Sequence, residues 1–128
     1  MGTVHADVDD ALELLDAIDL LLNEAKISEE RRAELRVPFF RPVAMSVGAP
    51  EGQRISAFTR DLSLFGIGLV HNVLIEPQDV LVRVPLGNGG AIHLRVRIKW
   101  CDACGEGWYL SGGRFLGVAS PSEQDPLA

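Results

Sequence analysis

The sequence predicts a mainly β domain, a small antiparallel barrel or sandwich of six strands preceded by one N-terminal α-helix. The N-terminal part has apolar side chains at helical spacing, whereas the rest consists of short β-like runs separated by glycine and proline. Residues 92–100 alternate apolar and polar side chains, which is typical of a strand with one buried and one wet face. With 128 residues, 47% of them hydrophobic, the chain can bury a core without disulfides or metal.

Residues 8–26 are predicted to form the helix. Val8, Leu15 and Leu22 are seven residues apart, and Ile18 lies between them on the same face. One interpretation is that this apolar face packs on the domain itself. The other is a short coiled-coil-like seam through Val8, Leu15, Ile18 and Leu22 that joins two chains into a homodimer. Fewer than three heptads do not distinguish the two interpretations.

Six β-like runs follow a charged connector, and turn-forming residues separate them. They are residues 37–47, 55–60, 66–71, 80–84, 92–100 and 108–118. In the fifth run Ile98 and Trp100 belong to the predicted buried face, and a turn is expected at 101–107. Pro38 and Pro42 predict an irregular or edge position for the first run. We therefore divide the chain into an acidic helix and linker (1–30), a β domain (31–118) and a disordered tail (119–128).

The net charge of −6 is unevenly distributed. Residues 1–30 contain nine acidic residues and one lysine, a net charge of −8, whereas residues 31–128 contain nine acidic and eleven basic residues, a net charge of +2. A mildly basic domain suits a small anionic ligand better than nucleic acid. No apolar run approaches the roughly 18 residues of a membrane span, and the acidic start does not resemble a signal peptide. We therefore expect a cytoplasmic protein with no membrane partner.

Two short motifs carry candidate binding chemistry. Arg32 and Arg36 form R-x-x-x-R, directly preceded by Arg31, and the second motif, D-x-S-x-x-G, comprises Asp61, Ser63 and Gly66. A carboxylate can accept the Watson–Crick donors of guanine, and arginine can fork to its O6/N7 edge, stack on its face or bind phosphate. Each motif alone also fits a simpler interpretation. The arginines could belong to a solvated, ion-paired connector, and the second motif could be an ordinary turn.

Both motifs in this order, in a six-stranded β context, resemble the PilZ domain family. The segments 36–43, 61–69, 96–100 and 112–115 are similar to family strands, so the resemblance covers about residues 31–118. It implies a six-stranded antiparallel β-barrel that binds the bacterial second messenger cyclic di-GMP, with no cofactor and no catalysis. The chain lacks length for the C-terminal helix of many such domains, and its N-terminal helix lies outside the shared pattern.

The resemblance also implies a role for each motif residue. Arg32 and Arg36 are expected to contact phosphate and to stack on or fork to guanine. Asp61 and Ser63 are expected to hydrogen-bond a guanine, while Gly66 shapes the turn. Similar domains that have an arginine at the position of Arg31 bind the ligand as an intercalated dimer, so the resemblance implies the same here.

Two rival functions remain open at the level of sequence. The barrel could act as a structural or interaction module through its N-terminal helix, with little ligand binding. It could instead bind oligonucleotides through Arg95, Arg97 and Lys99, although aromatic residues do not interleave that stripe. Cys101 and Cys104 form C-x-x-C, but a zinc site needs two further ligands, so we expect no metal site. The sequence does not identify a downstream target.

Overall fold

The computed structural model describes residues 3–28, 36–48 and 52–119, with the backbone alone for residues 3–10. It contains one helix and seven strands. They are α1 (Thr3–Glu24), β1 (Val37–Pro38), β2 (Pro42–Val47), β3 (Gln53–Leu62), β4 (Gly66–His71), β5 (Asp79–Pro85), β6 (Ala91–Gly105) and β7 (Trp108–Val118). The described helix is not long and apolar enough to cross a membrane.

The strands β2 to β7 close into an antiparallel barrel. Their order around the barrel is β3-β2-β5-β6-β7-β4, and β4 pairs with β3 again, so each of the six has two neighbours. The two-residue strand β1 adds to the end of β3. The six-stranded antiparallel barrel is therefore confirmed, and the alternative of a sandwich is not observed. Closure leaves none of these six strands as a free sheet edge.

Alternation along the strands fills the barrel with apolar side chains. On β6, Leu94, Val96 and Ile98 are fully buried, and Met45, Leu69 and Val82 approach them from other strands. Arg97 and Lys99 are exposed between them, as the period of two predicts. Two positions depart from the alternation. His93, on the predicted wet face, is only 8% exposed. Trp100 departs because the register of β6 against β7 shifts between Ile98 and Trp100. This bulge turns Trp100 onto the outer wall, where it is 45% exposed, so its predicted place on the buried face is wrong.

The helix packs on the barrel of its own chain. Ile18 and Leu21 are fully buried and Leu22 is 8% exposed, all within the same apolar core as the strands. The Glu24 carboxylate accepts hydrogen bonds from the Arg41 guanidinium and from the backbone N–H of Gly87. The intramolecular interpretation of the apolar face therefore holds. Two of the four residues of the predicted dimer seam, Ile18 and Leu22, are already buried against the barrel, and a homodimer through the helix stays a prediction.

Several predicted boundaries differ from the structure. The helix spans Thr3–Glu24 instead of residues 8–26, and two differences within the β domain have a clear physical cause. The first β-like run is split into β1 and β2, since the prolines interrupt the ladder, and Phe39 and Arg41 between them pair singly with β3. The predicted turn at 101–107 is largely strand: β6 continues to Gly105, and only Glu106 and Gly107 form the turn, with φ angles of 55° and 82°. This arm extends past the core with both faces exposed, so it has no apolar period in the sequence.

The barrel also includes one residue assigned to the tail. The backbone N–H of Ala119 donates to the carbonyl oxygen of His93 at 2.8 Å, and Ala119 is 4% exposed. The predicted disorder of the tail from residue 120 onward lies outside the described residues.

Candidate functional site

The turn from β3 to β4 is built around a serine hydroxyl. Ser63 Oγ accepts hydrogen bonds from the backbone N–H groups of Phe65 and Gly66 at 3.1 and 3.0 Å, and the Ser63 N–H donates to the Gly66 carbonyl. The hydroxyl itself donates a long hydrogen bond to the Gly66 carbonyl at 3.4 Å. It therefore holds the turn, and this weak bond can be exchanged for one to a ligand.

Gly66 is required by the close approach of β7. Its Cα pairs with that of Arg114, and a Cβ at this position would lie 2.2 Å from the carbonyl oxygen of Gly113. Every other residue type would push β7 away from the turn. The structural interpretation of Ser63 and Gly66 as turn formers is thus correct, and it is compatible with a binding role because the turn holds Asp61 beside it.

Asp61 lies between two arginines. One of its carboxylate oxygens, Oδ1, accepts a 2.6 Å hydrogen bond from Arg36 Nη1, and Oδ2 is 3.5 Å from Arg60 Nε. The Asp61 side chain is 17% exposed, whereas those of Arg36 and Arg60 are about half exposed. Both guanidinium groups keep N–H donors toward solvent. The cluster carries a net positive charge with a fixed carboxylate at its centre.

The pairing of β1 with β3 places Arg36 beside Asp61. Val37 pairs with Leu62 and Pro38 with Asp61, so Arg36 enters opposite the turn. The buried Thr59 hydroxyl donates to the Phe39 carbonyl at 2.7 Å, which ties the next residues to β3. These contacts bring one residue from each motif into direct contact across 25 positions of sequence.

Glycines form a flat surface on the outer wall next to this cluster. Across four strands the register runs from Asp61 on β3 to Gly68 on β4, Gly112 on β7 and Trp100 on β6. We call Gly66, Gly68 and Gly112 the glycine floor, because all three lie on the outward face of β4 and β7. Because these positions have no side chains, groups from neighbouring strands lie directly against the backbone, and all three glycines are buried.

The two edges of the glycine floor have different chemistry. A Cβ on Gly68 would lie 2.6 Å from Asp61 Oδ1, and a Cβ on Gly112 would lie 2.3 Å from Trp100 Nε1. The carboxylate therefore extends over Gly68, and the indole lies over Gly112 from the opposite side. With Trp100 45% exposed, part of its ring surface remains open to solvent. A carboxylate, arginine donors and an aromatic face around a flat floor are the groups that bind a purine base.

Four of the predicted site residues, Arg36, Asp61, Ser63 and Gly66, come together in the structure. The other two, Arg31 and Arg32, lie outside the described residues. Neither motif includes the remaining residues of the glycine floor, Gly68 and Gly112, or Trp100. The signal that was available is the spacing of small residues in Gly66-Ile67-Gly68 and Ser111-Gly112-Gly113.

The basic residues of β6 and the two cysteines, the other candidates from the sequence, do not form a binding site among the described residues. Arg97 is paired with Asp79 at 3.2 Å, and the Arg95 Nε atom is buried, so the basic stripe on β6 is not a continuous exposed track. Cys101 and Cys104 are free and lie on the extended arm of β6. Within residues 3–28, 36–48 and 52–119, no three side chains of the metal-binding types cluster together.

Several solved structures of known proteins are similar to this chain. One is the inhibitor of motility MotI/DgrA of Bacillus subtilis, with 13% identity and a TM-score of 0.53, covering 76% of this chain and 48% of that one. The chain thus spans about half the length of that protein. Another is the PilZ domain of YcgR from Escherichia coli, solved with c-di-GMP, with 21% identity, a TM-score of 0.46 and coverage of 76% and 86%.

A third solved structure is the PilZ domain of CeSA from a cellulose-synthesizing bacterium, with 21% identity, a TM-score of 0.46 and coverage of 73% of this chain and 91% of that one. No curated protein matches this chain in sequence. The profile of the PilZ domain matches residues 30–126, which include all strands and both motifs. This match covers about three quarters of the 128 residues. The chain belongs to the PilZ domain family.

Proposed function

We propose that this chain is a bacterial, cytoplasmic receptor domain that binds cyclic di-GMP and passes the signal to another protein without catalysing a reaction. The observation that carries the proposal is the Asp61 carboxylate held between Arg36 and Arg60 at the edge of the glycine floor. The PilZ family membership and the YcgR domain solved with c-di-GMP support the choice of ligand.

In this proposal one guanine of the ligand binds at the glycine floor, between the Asp61 carboxylate that covers Gly68 and the Trp100 indole that covers Gly112. Asp61 accepts hydrogen bonds from the Watson–Crick edge of the base, Ser63 donates its hydroxyl proton, and the base meets the open face of Trp100. Arg36 and Arg32 bind phosphate or the O6/N7 edge. A hydrogen bond to a charged group contributes about 1.5–3 kcal/mol and a base–aromatic stack about 1–3 kcal/mol. Several such contacts, less the ordering cost, are sufficient for micromolar binding, about −8 kcal/mol.

Isothermal titration with cyclic di-GMP tests the proposal directly. We expect a dissociation constant in the low micromolar range or below. Arg32→Ala, Arg36→Ala and Asp61→Ala should each weaken binding at least tenfold, about 1.4 kcal/mol. Binding should also weaken as salt concentration rises, because ions screen contacts between phosphate and arginine.

The matched control is Arg54→Ala, which removes an exposed arginine at the other end of β3. Its affinity should equal that of the unchanged chain. Absence of binding by the unchanged chain overturns the receptor function, whereas equal affinity in all three site variants overturns the site. Displacement of the ligand by excess single-stranded RNA would instead favour the oligonucleotide alternative.

The stoichiometry depends on Arg31. One cyclic di-GMP has two guanine faces and two phosphates, more than one arginine pair can satisfy, and a third guanidinium can stack on a second guanine for about 0.5–2 kcal/mol. We propose that an intercalated ligand dimer binds, so titration should give two ligands per domain. Arg31→Ala should lower this ratio toward one. A ratio of one that Arg31→Ala leaves unchanged would mean that Arg31 belongs to the solvated connector.

A further inference from the structure

Arg114 is the one charged side chain among four neighbouring outward positions on β4 and β7. Its Cα pairs with that of Gly66, and Gly68 pairs with Gly112 two residues further along the same strands. Three of the four positions are thus the glycine floor, and the fourth is Arg114, which is exposed. Long side chains on a sheet reach the neighbouring and diagonal positions of the same face. The Arg114 guanidinium can therefore reach the edge of the glycine floor at Gly66, beside the Asp61 carboxylate over Gly68 and the Trp100 indole over Gly112.

The charge of Arg114 has no counterpart in the described part of the chain. On its other side Arg114 pairs directly with Arg97, and like charges opposite each other destabilise a sheet. The Asp79 carboxylate forms an ion pair with Arg97 at 3.2 Å. Arg114 itself makes no hydrogen bond or ion pair to any described residue. The fold gains nothing from a second arginine at this position, whereas a bound anion would offset the repulsion.

We propose that Arg114 binds a phosphate group of the ligand that lies on the glycine floor. This inference rests on the proposed function, since it assigns a further contact in the same site. Arg36 and Arg60 approach that surface from the β3 side, and Arg114 approaches it from β7. A cyclic dinucleotide has two phosphates, so cations on two sides of a bound base are suited to its shape. Arg114 completes the site as the phosphate ligand from the closing strand of the barrel.

The test is titration with cyclic di-GMP at several salt concentrations, comparing the unchanged chain with Arg114→Ala, Arg114→Lys and Arg54→Ala. Arg114→Ala should weaken binding about tenfold at low salt and should flatten the dependence of affinity on salt, because one ionic contact is lost. Arg114→Lys should restore most of the affinity, since a phosphate accepts from an ammonium group as well. Arg54→Ala removes the same charge on another part of the barrel and should change neither quantity.

The outcomes separate this inference from the proposed function. If the unchanged chain does not bind cyclic di-GMP, the proposed function itself fails. If it binds and Arg114→Ala matches Arg54→Ala in affinity and salt dependence, the receptor function stands and the role of Arg114 is overturned. A loss in Arg114→Ala that Arg114→Lys does not restore, with unaltered salt dependence, also overturns the phosphate contact. Circular dichroism of the variants confirms that each remains folded.

Discussion

At the scale of single residues, Gly112 decides whether Trp100 can lie on the outer wall. A Cβ on Gly112 would overlap the indole, with Nε1 2.3 Å away, so Gly112→Ala should displace Trp100 from the glycine floor. Because a base–aromatic stack contributes about 1–3 kcal/mol, we expect cyclic di-GMP affinity to fall roughly five- to 150-fold. The indole is the end of a side chain and can swing outward, so the fold should persist. Titration and thermal unfolding measure the two effects.

The control for this prediction is Gly87→Ala, since a Cβ there meets only the Glu24 carboxylate at 3.7 Å, an ordinary contact. Trp100→Ala should reproduce the loss caused by Gly112→Ala, and the double variant should lose no more than either single one. Fully additive losses would show that Gly112 acts on the ligand without Trp100.

Some site residues can be predicted from their spacing along the sequence. Others depend on how one strand pairs with the next, and these cannot be predicted in the same way. Asp61, Ser63 and Gly66 lie within six positions, so the motif could be identified from the sequence. Trp100 could not, because the bulge that follows Ile98 reverses the face predicted by strict alternation. The sequence contains no separate sign of a bulge, whereas the pairing of Gly112 with Trp100 makes it evident.

At the scale of elements, the helix and the β6 arm show two limits of sequence patterns. The apolar face of α1 was predicted, but a heptad-like spacing cannot say what covers that face. In the structure the barrel covers this face, because Ile18 and Leu21 are buried against it and Glu24 makes polar contacts with it. The end of β6, residues 101–105, is not predicted as strand because neither of its faces is buried. It therefore has no apolar period, although its pairing with β7 continues.

The same elements connect the helix to the site. Residues 25–35 join α1 to β1 and include Arg31 and Arg32, while Arg36 at the start of β1 contacts Asp61. Arg41, a few residues further, binds Glu24 of α1 and lies over the Phe39 ring at 5.2 Å from its centroid. The R-x-x-x-R segment therefore has a fixed element at either end, with α1 docked on the barrel and β1 paired to β3.

At the scale of the whole molecule, two buried histidines couple the barrel to pH. His71 is fully buried on β4, where its Nδ1–H donates to the Val73 carbonyl at 2.7 Å and Nε2 accepts from the Ser111 hydroxyl at 2.6 Å. Burial lowers the pKa of His71, and the bond to Val73 opposes this only in part. His93 is 8% exposed, and burial together with the positive charge of Arg83 lowers its pKa as well.

Both histidines are therefore held neutral in the folded barrel, whereas in the unfolded chain they titrate near the ordinary pKa of 6.5. Unfolding takes up protons below that pH, so their contribution to the free energy of unfolding is complete above about pH 6.5 and declines as the pH falls below it. We expect the urea midpoint to be constant between pH 8 and 7 and to fall between pH 6.5 and 5.5.

His93→Leu separates the two contributions, because neither ring nitrogen of His93 has a hydrogen-bond partner in the described part of the chain. Removing a buried polar group without partners should raise the free energy of unfolding at pH 8 by about 1 kcal/mol. The variant should also lose part of the decline between pH 6.5 and 5.5, and His71 should account for the remainder. A midpoint that stays constant from pH 8 to 5.5, or a decline that His93→Leu does not reduce, would contradict the assignment of this pH dependence to the two buried imidazoles.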